Sequence, residues 1–139
     1  MEQRNAAAIF VNQGAGSAHS PRVRRAIELT HRALDADVHV TATRDVAELD
    51  AWMRQRLDAY ATIVIAGGDG SLGVAYNVVE GRDVTLGYIP AGFGNATAHL
   101  LRLPRDPEAI AATVAKADAR PSGPPRARGV APDRDRPAR

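Results

Sequence analysis

The run Gly67-Gly68-Asp69-Gly70-Ser71 follows a stretch of apolar and β-branched residues and has the composition of a phosphate-binding turn. Glycines there let the backbone approach a phosphate closely and leave amide N–H groups directed at it. A helix that starts in the turn adds the positive end of its dipole. Because Asp69 would repel a bare phosphate, the motif favours Mg²⁺ bridging the carboxylate and the phosphate oxygens. The alternative interpretation is a structural strand-to-helix turn that binds nothing.

A second turn with two glycines, Pro90–Asn95 (PAGFGN), also lies between an apolar run and a helical pattern. Ligands of open α/β sheets bind at the carboxyl ends of the strands, so two such turns can face each other across one cleft. Asn95 would offer its amide to a phosphate or a ribose, or would only cap the helix behind it. A third run, Asn12–Ser17 (NQGAGS), follows the first apolar run and is a weaker signal by itself.

The elements that must position these turns are short apolar runs that alternate with apolar stripes at helical spacing. Ser20 before Pro21 marks one helix start, and Asp45 with Glu48 in the next turn resembles a capping box. The predicted strands are Ala6–Asn12, Val38–Thr41, Thr62–Ala66 and Val84–Ile89. Helices are predicted after Ser20, after Asp45 (with the stripe Val46, Leu49, Met53 and Leu57), over Ser71–Glu80 and Ala96–Leu101, and after Asp106.

The segment Thr62–Ala66 is apolar on both faces, which is typical of a central strand in a parallel sheet that helices cover on both sides. Strands and helices alternate along the chain without an internal repeat. We therefore expect an α/β fold with an open, mostly parallel sheet and helices on both faces. In such a sheet the turns after Ala66 and Ile89 lie at the same edge.

The composition indicates one domain with an aliphatic core, because the chain has 139 residues, 45% of them apolar, and few aromatic ones. The absence of cysteine excludes disulfides and thiolate metal sites. The four histidines have no metal-ligand spacing. No segment approaches the roughly 18 apolar residues of a membrane span, and the N-terminus has no recognisable signal sequence. We expect a cytoplasmic protein whose contact with a membrane would be peripheral.

The high isoelectric point, about 9.5, comes from the C-terminal tail. Residues 1–118 contain 12 basic and 14 acidic side chains, whereas residues 119–139 contain 6 basic and 2 acidic ones. The folded part therefore gives no sign of a nucleic-acid surface. Residues 119–139 also hold five of the nine prolines. We expect a nucleotide-binding domain over residues 1–118 and a disordered Pro/Arg-rich tail over residues 119–139.

Three segments together resemble one family. Gly67–Ser71 (GGDGS), Pro90–Ala98 (PAGFGNATA) and Val11–Gly16 (VNQGAG) are similar to the diacylglycerol kinase catalytic domain, and the resemblance covers about residues 6–118. That family includes bacterial lipid kinases and the sphingosine and ceramide kinases, and its fold is related to that of NAD kinases. The resemblance implies transfer of the ATP γ-phosphoryl group to the hydroxyl of a diacylglycerol-like lipid at the membrane surface, with Mg²⁺ as a cofactor.

By motif position, the resemblance also implies a set of nucleotide-binding residues. The phosphates would be held by Gly67, Gly68, Asp69, Gly70 and Ser71. The carboxylate of Asp69 would have an indirect metal role through Mg-ATP. Near the nucleotide would lie Asn12 and Thr43, and the facing loop would consist of Gly92, Phe93, Gly94 and Asn95. The general base would come from a second, mostly β domain, so no catalytic residue is assigned in this chain.

The chain departs from the family pattern at several positions. The family often has proline and serine where this chain has Gln13 and Ala15, usually has threonine at Phe93, and often has Asn-Glu at Gly73-Val74. Family members also continue for a further domain. The composition of residues 122–139 is what an out-of-frame reading of GC-rich DNA would give. We therefore expect a truncated or frameshifted product that lacks the β domain.

Three other interpretations fit parts of the sequence. Gly68, Gly70 and Gly73 match the GxGxxG fingerprint of NAD(P)-binding Rossmann domains, but the next strand ends at Tyr88–Pro90 without the acidic residue that this fold needs. A serine hydrolase would need GxSxG, and Asp69 stands where the first glycine should be. A folded but inactive nucleotide-binding remnant is the third alternative.

Overall fold

The computed structural model of the chain describes residues 6–14, 19–92, 99–100 and 102–118. The strands in these ranges are β1 (Ala6–Asn12), β2 (Asp37–Thr41), β3 (Tyr60–Gly67) and β4 (Thr85–Pro90). The helices are α1 (Pro21–Leu34), α2 (Val46–Arg54), α3 (Asp69–Val79) and α4 (Pro107–Asp118), with a 3-10 turn at Leu57–Ala59. Each predicted strand is present, with its ends shifted by at most two residues.

The strands form one parallel sheet in the order β2-β1-β3-β4. Phe10 in β1 pairs with His39 on one side and with Ile65 on the other, and Gly67 of β3 pairs with Pro90 of β4. The chain first adds β2 outside β1 and then crosses over to add β3 and β4 on the opposite side. The order therefore reverses between β1 and β3, and this switch point is where open α/β sheets bind ligands.

Helices cover both faces of the sheet, which confirms the predicted fold class. The cluster on the α2 and α3 face includes Phe10, Leu49, Met53, Ile63, Ile65, Leu72 and Val78. The cluster on the α1 and α4 face includes Ile9, Val23, Ala26, Val64, Ala66, Ile110 and Val114. Successive β3 residues alternate between the two clusters, and burial of each large aliphatic side chain contributes about 1.5–3 kcal/mol. These two layers hold the carboxyl ends of the strands at one rigid edge.

Local capping signals explain where α1 and α4 begin. The Ser20 hydroxyl accepts a hydrogen bond from the Val23 N–H, and Pro21 occupies the first helical position. The Asp106 carboxylate accepts a hydrogen bond from the Ala109 N–H at 3.0 Å. Both starts agree with the sequence signals, because proline and a capping oxygen satisfy a helix start without long-range help.

The apolar stripe predicted for α2 is wrong at its first and last residues. Leu49 and Met53 are buried, but the Val46 side chain is 65% exposed, and Leu57 lies beyond the helix in the 3-10 turn. The helix starts at Val46, which lines the pocket described below and is not part of the core. The capping box is also incomplete, since Asp45 caps the helix but its own N–H bonds to the Thr43 hydroxyl.

Two further predictions differ from, or lie outside, the described structure. Helix α3 begins at Asp69, two residues earlier than predicted, which places Asp69, Gly70 and Ser71 in its first turn. Of the predicted helix over residues 96–101, His99 and Leu100 are described and are helical. The predicted disordered tail, residues 119–139, lies outside the described residues. Among the helices that the structure describes, none combines the length and the apolar character needed to cross a membrane.

An aromatic cluster packs on the α2 face of β1, away from the carboxyl edge. The Phe10 ring makes edge-to-face contacts with His39, Trp52 and Tyr60, at centroid distances of 5.4, 5.3 and 6.4 Å. The Tyr60 hydroxyl donates a hydrogen bond to Asp37 at 2.7 Å and lies 2.8 Å from His39 Nε2. Burial and the Asp37 carboxylate raise the pKa of Tyr60 to about 12. The cluster fixes β1, β2 and β3 to α2.

Candidate functional site

The two glycine turns lie side by side at the carboxyl edge of the sheet. They leave the neighbouring strands β3 and β4, and the Ala91 N–H donates a hydrogen bond to the Gly67 carbonyl at 2.8 Å. A Cβ atom on Gly68 would lie 3.3 Å from the Gly92 Cα atom. The φ angle of Gly68 is −89°, which any residue can adopt, so glycine is needed there for the close approach of the two backbones. Phe93, Gly94 and Asn95 lie outside the described residues.

The amino end of α3 is open toward the space beside these turns. Its N-cap residue is Gly68, which has no side chain that could cap the helix. Within the described part of the chain, the backbone N–H groups of Gly70 and Ser71 have no acceptor. A Cβ on Gly70 would meet no atom within 4 Å. Open amides and the positive end of the helix dipole together form a site for an anion.

Gly67 and Ser71 are packed against each other under this helix end. A Cβ on Gly67 would lie 2.9 Å from both Cβ and Oγ of Ser71, which is closer than such atoms approach. Ser71 is 7% exposed and is one of the residues that line the pocket described below. The glycine at position 67 therefore makes room for the Ser71 side chain.

The Asn12 side chain connects the ends of three strands. Its Nδ2 group donates hydrogen bonds to the Thr43 carbonyl at 3.0 Å and to the Ser71 Oγ at 3.1 Å. Its Oδ1 atom accepts hydrogen bonds from the Gly14 N–H at 3.0 Å and the Thr43 N–H at 3.1 Å. The turns after β1, β2 and β3 are therefore held together by one amide with 7% exposure.

Thr43 has a structural partner for each of its polar groups. Its hydroxyl donates a hydrogen bond to Glu48 and accepts one from the Asp45 N–H, while its backbone N–H and carbonyl both bond to Asn12. A Cβ on Gly14 would lie 3.0 Å from the Thr43 carbonyl oxygen, so the turn after β1 passes directly over this residue. Thr43 shapes the wall of the site through its backbone.

Asp69 lies in the first turn of α3, where the positive end of the helix dipole stabilises a carboxylate. The Tyr88 hydroxyl, from β4, donates a hydrogen bond to the Asp69 Oδ1 atom at 3.4 Å. Burial and the neighbouring negative charge of Asp69 raise the pKa of Tyr88, so this phenol stays protonated and remains a donor. The described residues contain no group of three or more side chains that could hold a metal ion by themselves.

A pocket of about 200 Å³ opens at this edge between α2 and α3. It is smaller than the about 300–1,000 Å³ of pockets that enclose a whole small-molecule ligand. Its polar side combines the α3 start with the Asn12 amide, and its apolar wall consists of Val46, Leu49 and Val74. The lining residues are Asn12, Gly14, Thr43, Arg44, Asp45, Val46, Leu49, Gly68, Gly70, Ser71 and Val74.

Sequence reasoning missed Arg44, Val46 and Tyr88. Arg44 is an exposed lining residue, and no carboxylate of the described residues lies within ion-pair distance of it. Its position directly after Thr43 could have drawn attention, because strand ends carry the ligand-binding residues of such sheets. No sequence signal marks Tyr88, whose contact with Asp69 joins residues on separate elements.

The structure also argues against the Rossmann interpretation. In that fingerprint the third glycine permits close packing of the helix against the strand. Here the third glycine of the pattern is Gly73, which is exposed, and a Cβ there would meet no atom within 4 Å. Gly73 therefore has no packing role, and the match to GxGxxG is one of spacing alone.

Comparisons with known proteins agree with the fold. A family model for the diacylglycerol kinase catalytic domain matches residues 6–123. A candidate diacylglycerol kinase from Bacillus anthracis str. Sterne superposes with a TM-score of 0.63 and 21% identity, over 84% of this chain and 43% of that chain. Another structure from that strain, described as a diacylglycerol kinase, gives a TM-score of 0.63 and 21% identity, over 84% of this chain and 45% of its own.

These matches establish a shared fold, and the chain spans less than half the length of the solved structures it matches. The fold is the α/β fold of the diacylglycerol kinases, which is related to that of NAD kinases. A comparison with curated proteins gave no match.

Proposed function

Because the chain belongs to the diacylglycerol kinase catalytic domain family, we propose that it is the ATP-binding part of a lipid kinase. The proposed reaction transfers the γ-phosphoryl group of ATP to the hydroxyl of a diacylglycerol-like lipid, with Mg²⁺ as the cofactor. The observation that carries the proposal is the open amino end of α3 in the pocket, next to Gly92 of the neighbouring turn. Open amides and a helix dipole at one point attract a polyphosphate.

The first turn of α3 is the proposed phosphate site. The N–H groups of Gly70 and Ser71 would donate to phosphate oxygens, and Gly68 would let the phosphates approach the backbone. Mg²⁺ keeps several of its waters and is usually bound by one or two carboxylates together with phosphate oxygens. A single carboxylate at Asp69 therefore fits an indirect metal role. When bound, Mg²⁺ would neutralise charge on the phosphates.

The other lining residues suggest how the rest of the nucleotide would lie. The apolar wall of Val46, Leu49 and Val74 offers a surface for the base, which also accounts for the exposure of Val46. The guanidinium group of Arg44 would add positive charge at the rim. Asn12 and Thr43 would shape the space between these two ends.

We propose that the lipid-binding site and the general base are supplied by residues other than the described ones. Phosphoryl transfer requires an acceptor hydroxyl in line with the leaving oxygen and a group that accepts its proton. The family resemblance assigns these roles to a second, mostly β domain. A nucleotide-binding domain without kinase activity of its own is the second candidate function.

Thermal unfolding with and without Mg-ATP tests nucleotide binding. A ligand that binds the folded state at 100 times its Kd stabilises it by about 2.7 kcal/mol, so the melting temperature should rise. Asp69→Ala should abolish Mg-ATP binding, whereas Asp83→Ala, which removes an exposed carboxylate before β4, should leave it unchanged. If the parent chain shows no shift, or if Asp69→Ala binds Mg-ATP with the parent affinity in calorimetry, the proposal is wrong.

A transfer assay then separates the kinase from the inactive domain. The chain is incubated with γ-labelled Mg-ATP and diacylglycerol, both alone and together with the β domain of a full-length homologue. Labelled lipid in either sample supports the kinase. Nucleotide binding without labelled lipid in both samples supports the inactive domain.

A further inference from the structure

We propose that Asn12 is a positioning residue that holds the Ser71 hydroxyl with its hydrogen free for a ligand oxygen, and that Asn12 itself makes no contact with the ligand. This inference rests on the proposed function, because it concerns how the same site binds phosphate. It changes the role that the family resemblance suggests for Asn12, from a neighbour of the nucleotide to a part of the supporting framework.

The orientation of the Asn12 amide follows from its backbone partners. The Thr43 carbonyl can only accept a hydrogen bond, and the N–H groups of Gly14 and Thr43 can only donate one. A flipped amide would direct its NH₂ group at two N–H donors and its oxygen at a carbonyl. Nδ2 must therefore face Thr43 O and Ser71 Oγ, and the direction of the Asn12–Ser71 hydrogen bond is fixed.

These contacts use the full hydrogen-bonding capacity of the Asn12 amide. An asparagine side chain has two N–H donors and an oxygen with two lone pairs. Both donors and both lone pairs have protein partners at 3.0–3.1 Å. A ligand could contact Asn12 only by breaking one of these bonds, and each broken bond would leave a buried polar group unpaired. Direct binding of the nucleotide by Asn12 is therefore unfavourable.

The same geometry leaves Ser71 with one free donor. A serine hydroxyl has one hydrogen and two lone pairs, and the Asn12 Nδ2 group occupies one lone pair. Within the described residues the Ser71 hydroxyl donates to no acceptor, although Ser71 is 7% exposed. It lines the pocket together with Gly68 and Gly70. Its hydrogen is thus available to an oxygen at the open end of α3.

Replacement of Asn12 by aspartate would reverse this arrangement. Aspartate keeps an oxygen for the N–H groups of Gly14 and Thr43, but its second oxygen takes the donor away from the Thr43 carbonyl and presents an acceptor to Ser71. The Ser71 hydroxyl would then donate to the carboxylate, and its hydrogen would be lost to the ligand. Asn12→Asp should therefore act on phosphate binding through Ser71.

A double-mutant cycle measures this coupling. Asn12→Asp and Ser71→Ala should each lower the affinity for Mg-ATP about tenfold, and the double variant should lose little more than either single one. The two single variants should leave the affinity for adenosine, which has no phosphate, unchanged. Ser71→Thr keeps the hydroxyl and should therefore keep the affinity for Mg-ATP. Asn77→Asp, which adds the same charge at an exposed position of α3, should neither weaken binding nor couple to Ser71→Ala. Effects that multiply to about a hundredfold in the double variant would overturn the proposal.

A measurement without nucleotide keeps the result independent of the proposed function. In NMR spectra of the free protein, Ser71→Ala should shift one of the two Asn12 side-chain amide protons and speed its exchange with solvent. An unchanged resonance would overturn the inference. If Asn12→Asp does not fold, the cycle is run with Asn12→Ala, and an unchanged Mg-ATP affinity of Ser71→Ala would itself overturn it. Failure of the parent chain to bind Mg-ATP would instead contradict the proposed function.

Discussion

Helices α2 and α3 both begin at the carboxyl edge of the sheet and both border the same pocket, but their amino ends differ. At α2, the Asp45 carboxylate accepts hydrogen bonds from Ala47 N at 2.9 Å and Glu48 N at 3.2 Å. At α3, Gly68 occupies the same N-cap position with an extended backbone and offers no side chain. The sequence caps one helix start with its own side chain and leaves the other without a capping side chain.

Under the proposed function, this difference distinguishes the ligand-binding helix start from the capped one. A capped start is stable by itself, because a capping side chain contributes about 0.5–2 kcal/mol. An uncapped start with glycine gives up that stabilisation and gains room and open amides. The Asn12 network supports this end by fixing Ser71 from outside the helix.

The largest expected effect comes from giving α3 a cap like that of α2. Gly68→Asp should lower the affinity for Mg-ATP on the order of 100-fold, since the new carboxylate would take the first-turn amides and repel the phosphates. The melting temperature without nucleotide should fall by a similar amount in Gly68→Asp and Gly68→Ala, because a Cβ at this position crowds the Gly92 backbone. Calorimetric titration measures the affinity, and Gly68→Ala is the control for crowding against Gly92. An equal loss in Gly68→Ala would attribute the effect to space and not to capping.

Removing the cap of α2 should have a smaller effect, and on a different quantity. Asp45→Ala should lower the free energy of unfolding by about 1 kcal/mol, because the N–H groups of Ala47 and Glu48 would lose their acceptor. Asp45→Ser should recover most of this stability. Urea unfolding measures the change. If Asp45→Ala lowers the free energy of Mg-ATP binding by more than it lowers the free energy of unfolding, the two helices do not divide these roles.

The smallest expected effect concerns the contact between Tyr88 and Asp69. Tyr88→Phe removes a donor at 3.4 Å and should cost about 0.5–1 kcal/mol of stability near neutral pH. The pKa of Tyr88 is raised in the folded state, so its contribution is complete below the unfolded pKa near 10 and is lost as the pH rises above that value.

Unfolding measured from neutral to strongly alkaline pH checks this sign. The parent protein should lose stability more steeply above about pH 10 than Tyr88→Phe does. The pKa of Tyr60 is also raised, so a matched Tyr60→Phe variant isolates the contribution of Tyr88. Identical alkaline profiles for the parent and Tyr88→Phe would show that the contact with Asp69 has no effect on stability.

The sequence predicted those features that depend on neighbouring residues. Ser20-Pro21 and Asp106 cap their helices locally, and the continuous apolar run of β3 identifies a central strand. The glycine turns and their adjacency follow from the parallel order of β3 and β4. Such features could be predicted because capping and strand burial act over a few residues of chain.

The features that the sequence could not predict depend on distant partners. Asn12 bonds to residues 31 and 59 positions away, and Tyr88 contacts an acid 19 positions away. Val46 fits the apolar pattern of its helix and is nevertheless exposed, because it lines the open pocket. The roles of these side chains are decided by which loops meet, and spacing along one element does not contain that information.

The position of Trp52, the one tryptophan in the chain, has a practical consequence. Its indole lies against Phe10 and beneath the Arg56 guanidinium, 4.8 Å from the ring centroid. Trp52 is not among the pocket-lining residues, although Leu49, three residues earlier on α2, is one of them. Its fluorescence should follow the loss of the aromatic cluster on unfolding and stay constant when a nucleotide is added at fixed temperature. The protein thus carries an intrinsic optical probe that separates folding from occupancy.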